Sequence, residues 1–387
     1  MCSELRIVRI LMVARWPLGG IRTYMKYVCR HLPSHFKVTL LAASTQEDDA
    51  LRKDFTATGA RLILLPNVSS MLGLAPEIRK ELYRVHYDVI LSQGFISAFN
   101  VVLANFLRKV PHVLTVHGIL EEKYLSGKFG FIKQSTLSWV FSKVHVLYAV
   151  SYDILEHIQE QLPALRLGRC HKIVIPNGIE SELFISEDSS GFPVRQSLGI
   201  GADVFLFGFV GRFMQQKGFN YLIDAIELME SQILMNPQYL VLAVGSGDYV
   251  SHYKSVVNER NLEHRFRFIP FMNDISKLYR ELNVVVMPSV WEACPLQPME
   301  ALCSGTPVIA SDCIGLRETV RDTPSLIFPS TKSASLAETM VKIMKEPMKK
   351  EFTDFAPNAR ERFDVRHTTR KLTDLIDRLL TDSDGKA

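Results

Sequence analysis

Residues 288–318, PSVWEACPLQPMEALCSGTPVIASDCIGLRE, set two carboxylates among prolines and close on a Gly-Thr-Pro turn between apolar runs. Glu292 follows the apolar run 284–287, and Glu300 stands eight positions later, about one turn into the helix expected next. Both carboxylates therefore come near one helix N-terminus. Such a terminus offers free N–H groups and a positive dipole end to a phosphate, while nearby carboxylates accept sugar hydroxyls. The pattern suits a ligand that is anion and polyol at once. Without a ligand, the same segment reads as a surface helix with two solvated glutamates, so the surrounding chain has to decide.

Working outward, apolar runs of strand length alternate with longer amphipathic segments along the whole chain. This is the pattern of parallel βα units. Strands are expected at 6–14, 37–43, 61–65, 88–92, 112–116, 145–150 and 172–175, then at 205–210, 240–244, 266–269, 284–287 and 326–328. Their apolar character suits sheets covered on both faces. Helices are expected at 21–32, 98–108, 219–230, 332–345 and 366–380.

Two strand-to-helix turns carry glycines. Gly19 and Gly20 follow the first strand, where backbone N–H groups can approach a phosphate without a Cβ clash, although a lone Gly-Gly recurs in many α/β proteins. The second turn, GRFMQQKG from Gly211 to Gly218, adds two cations. Arg212 can fork onto two oxygens and Lys217 acts as a point charge, a combination suited to a diphosphate. His117 directly follows the strand 112–116, at the carboxyl edge where open α/β sheets bind ligands. A strand-end histidine also serves as a plain structural hydrogen-bonder, and position alone leaves both roles open. Gly245 ends the run 240–244 in a Gly-Ser-Gly-Asp turn, and Asn177 lies in the turn Pro-Asn-Gly-Ile at 176–179.

The chain of 387 residues, 47% hydrophobic, suffices for two domains with sizeable cores. Its six cysteines are scattered, with no C-x-x-C pair, which fits a reducing cytosol. No secretion signal is expected at the start, and no apolar run reaches 18 residues. The net charge of +4 is uneven: residues 1–180 hold 22 Lys+Arg against 14 Asp+Glu, and residues 181–387 hold 23 against 27. A basic first half favours anionic partners such as a phospholipid surface, a lipid diphosphate or an acidic glycan, as against ordinary variance in surface charge. No nucleic-acid motif accompanies the charge, so nucleic acid is not an expected partner. The loop GKFGF at 127–131 offers aromatics either to a bilayer interface or to the core, while Glu121, Glu122 and Lys123 read as a solvated loop.

Glu292-x7-Glu300, then GTPVI and Gly315 to Glu318, together with the Gly211 to Gly218 loop, the Gly245 turn and Pro176-Asn177-Gly178-Ile179, resemble the retaining family 4 glycosyltransferases of the GT-B fold. That resemblance implies two Rossmann-like, doubly wound parallel-sheet domains facing a cleft. Residues 1–180 would bind the acceptor and 181–365 the nucleotide-sugar donor, with 181–202 as a polar linker and a helix 366–380 packing back on the first domain. It implies that Glu292 contacts donor-sugar hydroxyls, Glu300 the ribose, and Arg212 and Lys217 the leaving diphosphate. His117 would orient the sugar, and Gly19, Gly20, Asn177, Gly211, Gly245, Pro295 and Leu296 would line the donor site. No cofactor or metal is implied. The partners implied are a nucleotide-diphosphate sugar, with UDP favoured and GDP as an alternative, and a glycan or lipid-linked acceptor, in the cytoplasm with peripheral contact to an anionic membrane. The chain departs from the family in two places. Ala293-Cys294-Pro295 stands where Gly-Phe-Gly is common, and Arg22-Thr23 stands where a Glu often follows the glycine loop. A sugar-nucleotide epimerase and a catalytically silent binding subunit are the alternatives. Asp382-Ser383-Asp384 matches a D-x-D metal pattern but falls in what reads as a disordered polar tail.

Overall fold

A computed structural model describes residues 6–384 except 69, 122–124, 164, 166–167, 169, 186–193, 233–237 and 273. The chain forms two compact units, Met1–Gly178 with Val365–Ala387, and Ile179–Asp364. Each is built on one parallel sheet.

In the first unit the strands are β1 (Val8–Ala14), β2 (Phe36–Ala43), β3 (Arg61–Leu65), β4 (Val89–Gln93), β5 (His112–Val116), β6 (Val146–Ala149) and β7 (His171–Val174), in spatial order β3-β2-β1-β4-β5-β6-β7. The second unit has β8 (Phe205–Val210), β9 (Tyr239–Val244), β10 (Phe266–Ile269), β11 (Val284–Met287), β12 (Val308–Ser311) and β13 (Leu326–Phe328), ordered β10-β9-β8-β11-β12-β13. Both sheets reverse direction of growth beside their first strand, between β1 and β4 and between β8 and β11. The crevice beyond the carboxyl ends at such a switch point is where α/β sheets bind ligands. Central strands such as β6 and β11 are buried at every position, which explains their unbroken apolar sequence.

The second unit's core is rich in aromatics. Phe219, fully buried, touches the rings of Phe209, Phe213, Tyr253, Phe266 and Phe268 at centroid distances of 4.7 to 5.9 Å. Because Phe213 and Phe219 bracket the loop after β8, this cluster fixes that loop from beneath. The last helix, Val365–Asp384, belongs to the first unit and lies against the helix Gly19–His31.

The structure corrects several readings. The supposed disordered tail is helix through Asp384. The GKFGF loop runs at Gly130 into a helix, Gly130–Lys143, and Phe129 and Phe131 stand 65% and 80% exposed instead of entering the core. Within the segment read as linker lie a 3-10 turn, Ser181–Phe184, and a short helix, Val194–Ser197; its run 186–191, like Glu122, Lys123 and Cys2, falls outside the described residues. Strand β12 and the helix Lys349–Arg362 are additional elements. The five described cysteines are buried and form no disulfide.

Candidate functional site

The loop from Gly211 to Gly218 leaves the carboxyl end of β8. Phe213 turns inward and anchors it, and its N–H donates to the Ser246 carbonyl at 2.9 Å. Gly211 and Gly245 pack backbone against backbone: Gly245 holds φ +150, and a Cβ there would fall 1.9 Å from the Gly211 carbonyl oxygen. No other residue type fits that approach. With the backbone pinned, the two cations turn away from the core. Arg212 makes no ion pair or side-chain hydrogen bond among the described residues. Lys217 Nζ donates to Glu292 Oε1 at 2.7 Å, with the two side chains only 12% and 7% exposed.

Glu292 sits in the loop after β11, the strand adjacent to β8. Its N–H donates to the Ile314 carbonyl, and Gly315 packs so tightly that a Cβ would lie 2.3 Å from the Glu292 carbonyl oxygen. Ser289 Oγ donates to Glu292 Oε1 at 2.8 Å, and Ser311 Oγ holds the Ser289 carbonyl at 2.6 Å. Both contacts to the carboxylate use Oε1, which leaves Oε2 to accept a ligand hydroxyl.

Glu300 lies in the helix Leu296–Cys303, with Pro295 as its N-cap. Tyr279, itself fully buried, donates to Glu300 Oε2 at 2.8 Å. Burial pushes the Glu300 carboxyl up to about 7, against the opposing pull of the Tyr279 hydroxyl and the Lys217 charge. The second unit thus gathers Gly211, Arg212, Lys217, Gly245, Glu292, Pro295, Leu296 and Glu300 at the carboxyl edge of its sheet. Ser289 and Tyr279 carry no signal in the sequence, since a buried polar partner across the fold has no local period.

In the first unit, His117 follows β5. Its Nε2 pairs with Gln93 Oε1 at 2.7 Å, and its ring meets the Tyr24 ring edge-on, 4.9 Å between centroids. An amide oxygen only accepts, so Nε2 carries the proton and Nδ1 keeps its lone pair. Burial lowers the His117 pKa to about 3, so the imidazole is neutral at working pH. Gly19 and Gly20 open the helix Gly19–His31, and Gly20 is exposed with nothing within 4 Å of a Cβ position. Arg22 turns aside to Glu47 at 2.5 Å and Asp54 at 3.3 Å, which makes it a tether to the neighbouring helix Asp48–Thr56. Asn177 lies near the end of this unit's first segment. The sequence-selected residues therefore form two groups, one on each unit. Among the described residues, no set of three or more His, Cys, Asp or Glu is placed to hold a metal ion.

The raised Glu300 pKa fixes the sign of a pH effect. The folded chain keeps this proton where the unfolded chain, at the ordinary 4.5, has lost it. The carboxyl therefore costs no stability below about pH 4.5, costs progressively more as pH rises toward 7, and keeps that full cost above 7. Glu300→Gln is expected to gain on wild type between pH 5 and pH 8 in denaturant unfolding. A stability difference that stays flat over that range would show the carboxyl to be ordinary.

Two family descriptions match the chain: Glycosyltransferase Family 4 over residues 18–183 and Glycosyl transferases group 1 over residues 193–362. EpsF of Bacillus subtilis (strain 168), a protein assigned as a glycosyltransferase, is 34% identical over 328 residues, 81% of this chain and 80% of its own length. The UDP-Gal:alpha-D-GlcNAc-diphosphoundecaprenol alpha-1,3-galactosyltransferase of Escherichia coli is 27% identical over 277 residues, 69% of this chain and 68% of that protein. Among solved structures, HepE of Anabaena in complex with UDP and glucose superposes with a TM-score of 0.80 at 22% identity, over 96% of this chain and 100% of that one. Two Rossmann-like units and this match over nearly the whole chain lead to one conclusion: the chain belongs to the family 4 glycosyltransferases of the GT-B fold.

Proposed function

We propose that the protein is a retaining, metal-independent glycosyltransferase that moves a sugar from a UDP-sugar to an acceptor hydroxyl. The observation that carries this reading is the Lys217 to Glu292 contact of 2.7 Å. It joins a cation suited to a diphosphate and a carboxylate suited to sugar hydroxyls at the switch point of one sheet. UDP is favoured over GDP because the Escherichia coli relative is named for UDP-Gal and HepE was solved with UDP and glucose.

In this reading Glu292 Oε2 accepts from the donor sugar, and Glu300 Oε1, free of its Tyr279 contact, accepts from the ribose. As the bond from the anomeric carbon to the β-phosphate oxygen breaks, negative charge builds on the phosphate. Lys217 and Arg212 stabilise that charge more than they stabilise the ground state. The acceptor oxygen bonds to the anomeric carbon on the face the phosphate leaves, and its proton passes to a phosphate oxygen. Neutral His117, its Nδ1 open to a hydroxyl proton, is assigned to orienting the sugar. The two cations supply the charge neutralisation for which other enzymes use a divalent ion. Glu292→Ala is expected to lower turnover at least a hundredfold while nucleoside diphosphate affinity changes less than fivefold; equal turnover would remove Glu292 from its role. Product analysis in the same assay separates transfer from epimerisation, which needs no acceptor.

The acceptor is proposed to be a lipid-linked saccharide of envelope or exopolysaccharide assembly, reached at an anionic membrane. The Escherichia coli relative is named for a diphosphoundecaprenol-linked acceptor. Phe129, Phe131 and Ile132 are 65%, 80% and 58% exposed, flanked by exposed Lys128 and Lys133. Residues 89–120 and 125–152 contain no Asp or Glu at all. Exposed aromatics flanked by lysines in segments without acids suit an anionic interface, where each nearby Lys contributes about 1 kcal/mol. No helix among the described residues is long and apolar enough to cross a membrane. Co-sedimentation with anionic liposomes at low salt is expected, with a severalfold loss in Phe129→Ser/Phe131→Ser. Wild type left in the supernatant would refute the docking.

A further inference from the structure

The helix Leu296–Cys303 starts with an unusual shortage of donors. Of the four backbone N–H groups that a helix start leaves open, Pro295 and Pro298 supply none. Only Leu296 and Gln297 offer one each. A diphosphate placed at this terminus would meet half the usual set.

The side chain of Gln297 lies where the missing donors would be useful. Its Nε2 is 3.6 Å from the position a Cβ would take on Gly211, and Lys217 Cε is 3.9 Å from that same point. The amide and the lysine stem therefore both lie over the face of Gly211 that a side chain would cover, and at φ +145 that residue presents bare backbone to them. Gln297 is partly buried, and its amide makes no hydrogen bond among the described residues. An amide nitrogen with two N–H donors, open to solvent beside a cation and with no protein partner among the described residues, is available to a ligand acceptor.

We infer that the Gln297 amide binds the donor's diphosphate beside Lys217, supplying hydrogen bonds that Pro295 and Pro298 take from the helix terminus. The inference rests on the nucleotide-sugar reading above and names a binding residue within it. It also accounts for Pro295 standing where the family commonly has glycine: the lost backbone N–H is made good by a side chain two positions on. Neutral N–H donors add no charge to the resting site, which already balances Lys217 against Glu292, yet they strengthen as the phosphate oxygens become anionic.

The test is a substitution cycle read by titration of UDP, GDP and ADP and of the parent nucleosides, with donor kcat/KM alongside. Gln297→Ala is expected to weaken the nucleoside diphosphate that wild type binds by about ten- to a hundredfold, the size of one hydrogen bond to a charged oxygen. The nucleoside, which lacks phosphates, should lose less than twofold. Gln297→Met keeps the bulk without the donors and should behave the same, so a packing defect in the Ala variant would be visible. Adding Pro295→Gly to either variant returns one N–H and should recover about tenfold. A diphosphate affinity within twofold of wild type, a loss shared equally by nucleoside and diphosphate, or no recovery with Pro295→Gly would each overturn the inference. Wild type that binds none of the diphosphates would overturn the nucleotide-sugar reading itself.

Discussion

The Lys217 ammonium and the Glu292 carboxylate, 2.7 Å apart and almost shut off from solvent, hold each other's charge in a place where neither could stand alone. Removing one partner of such a pair costs about 3–5 kcal/mol, because the other is left buried and unpaired. The pair also ties together the loops that leave β8 and β11, which are neighbours in the sheet. Much of the surrounding architecture serves to keep those loops in place. Phe213 and Phe219 root one of them in the aromatic core, and Ser289 and Gly315 hold the backbone and carboxylate of the other.

This constraint has a consequence for ligand choice. Lys217 and Ser289 share Glu292 Oε1 and leave Oε2 open, so in the proposed reading a phosphate meets Lys217 while a sugar hydroxyl meets Oε2. A ligand with anion and hydroxyls in one molecule uses both at once. In the first unit a different logic applies. His117 is neutral and tautomerically fixed by Gln93, which lies beside Ala14 and Thr115 in the register of β1, β4 and β5. In the proposed reading it supplies direction, not charge.

The fold was legible because strands buried on both faces read as plain apolar runs, and because the glycine turns after β1, β8 and β9 interrupt them at recognisable spacing. The charged residues of the second unit were legible for the same reason: Arg212, Lys217, Glu292 and Glu300 lie on the loops and the helix that follow those strands. Their partners were not. Gln93 meets His117 from 24 positions away and Tyr279 meets Glu300 from 21, and no local pattern announces such pairs. Nor does sequence alone decide which way an aromatic turns, as Phe129 and Phe131 show by standing in solvent. The acidic end of the chain looked like a tail, yet amphipathic spacing carries the last helix through it. The helix Lys349–Arg362 escaped notice because it is densely charged and contains Pro357.

The most direct test of the account is calorimetric titration of UDP, GDP and ADP into wild type and Lys217→Met at neutral pH. One nucleoside diphosphate, UDP, is expected to bind wild type and to lose at least tenfold in affinity with Lys217→Met, the effect of deleting one charged contact to phosphate. Equal affinity in the two proteins, or no binding by wild type, would contradict it.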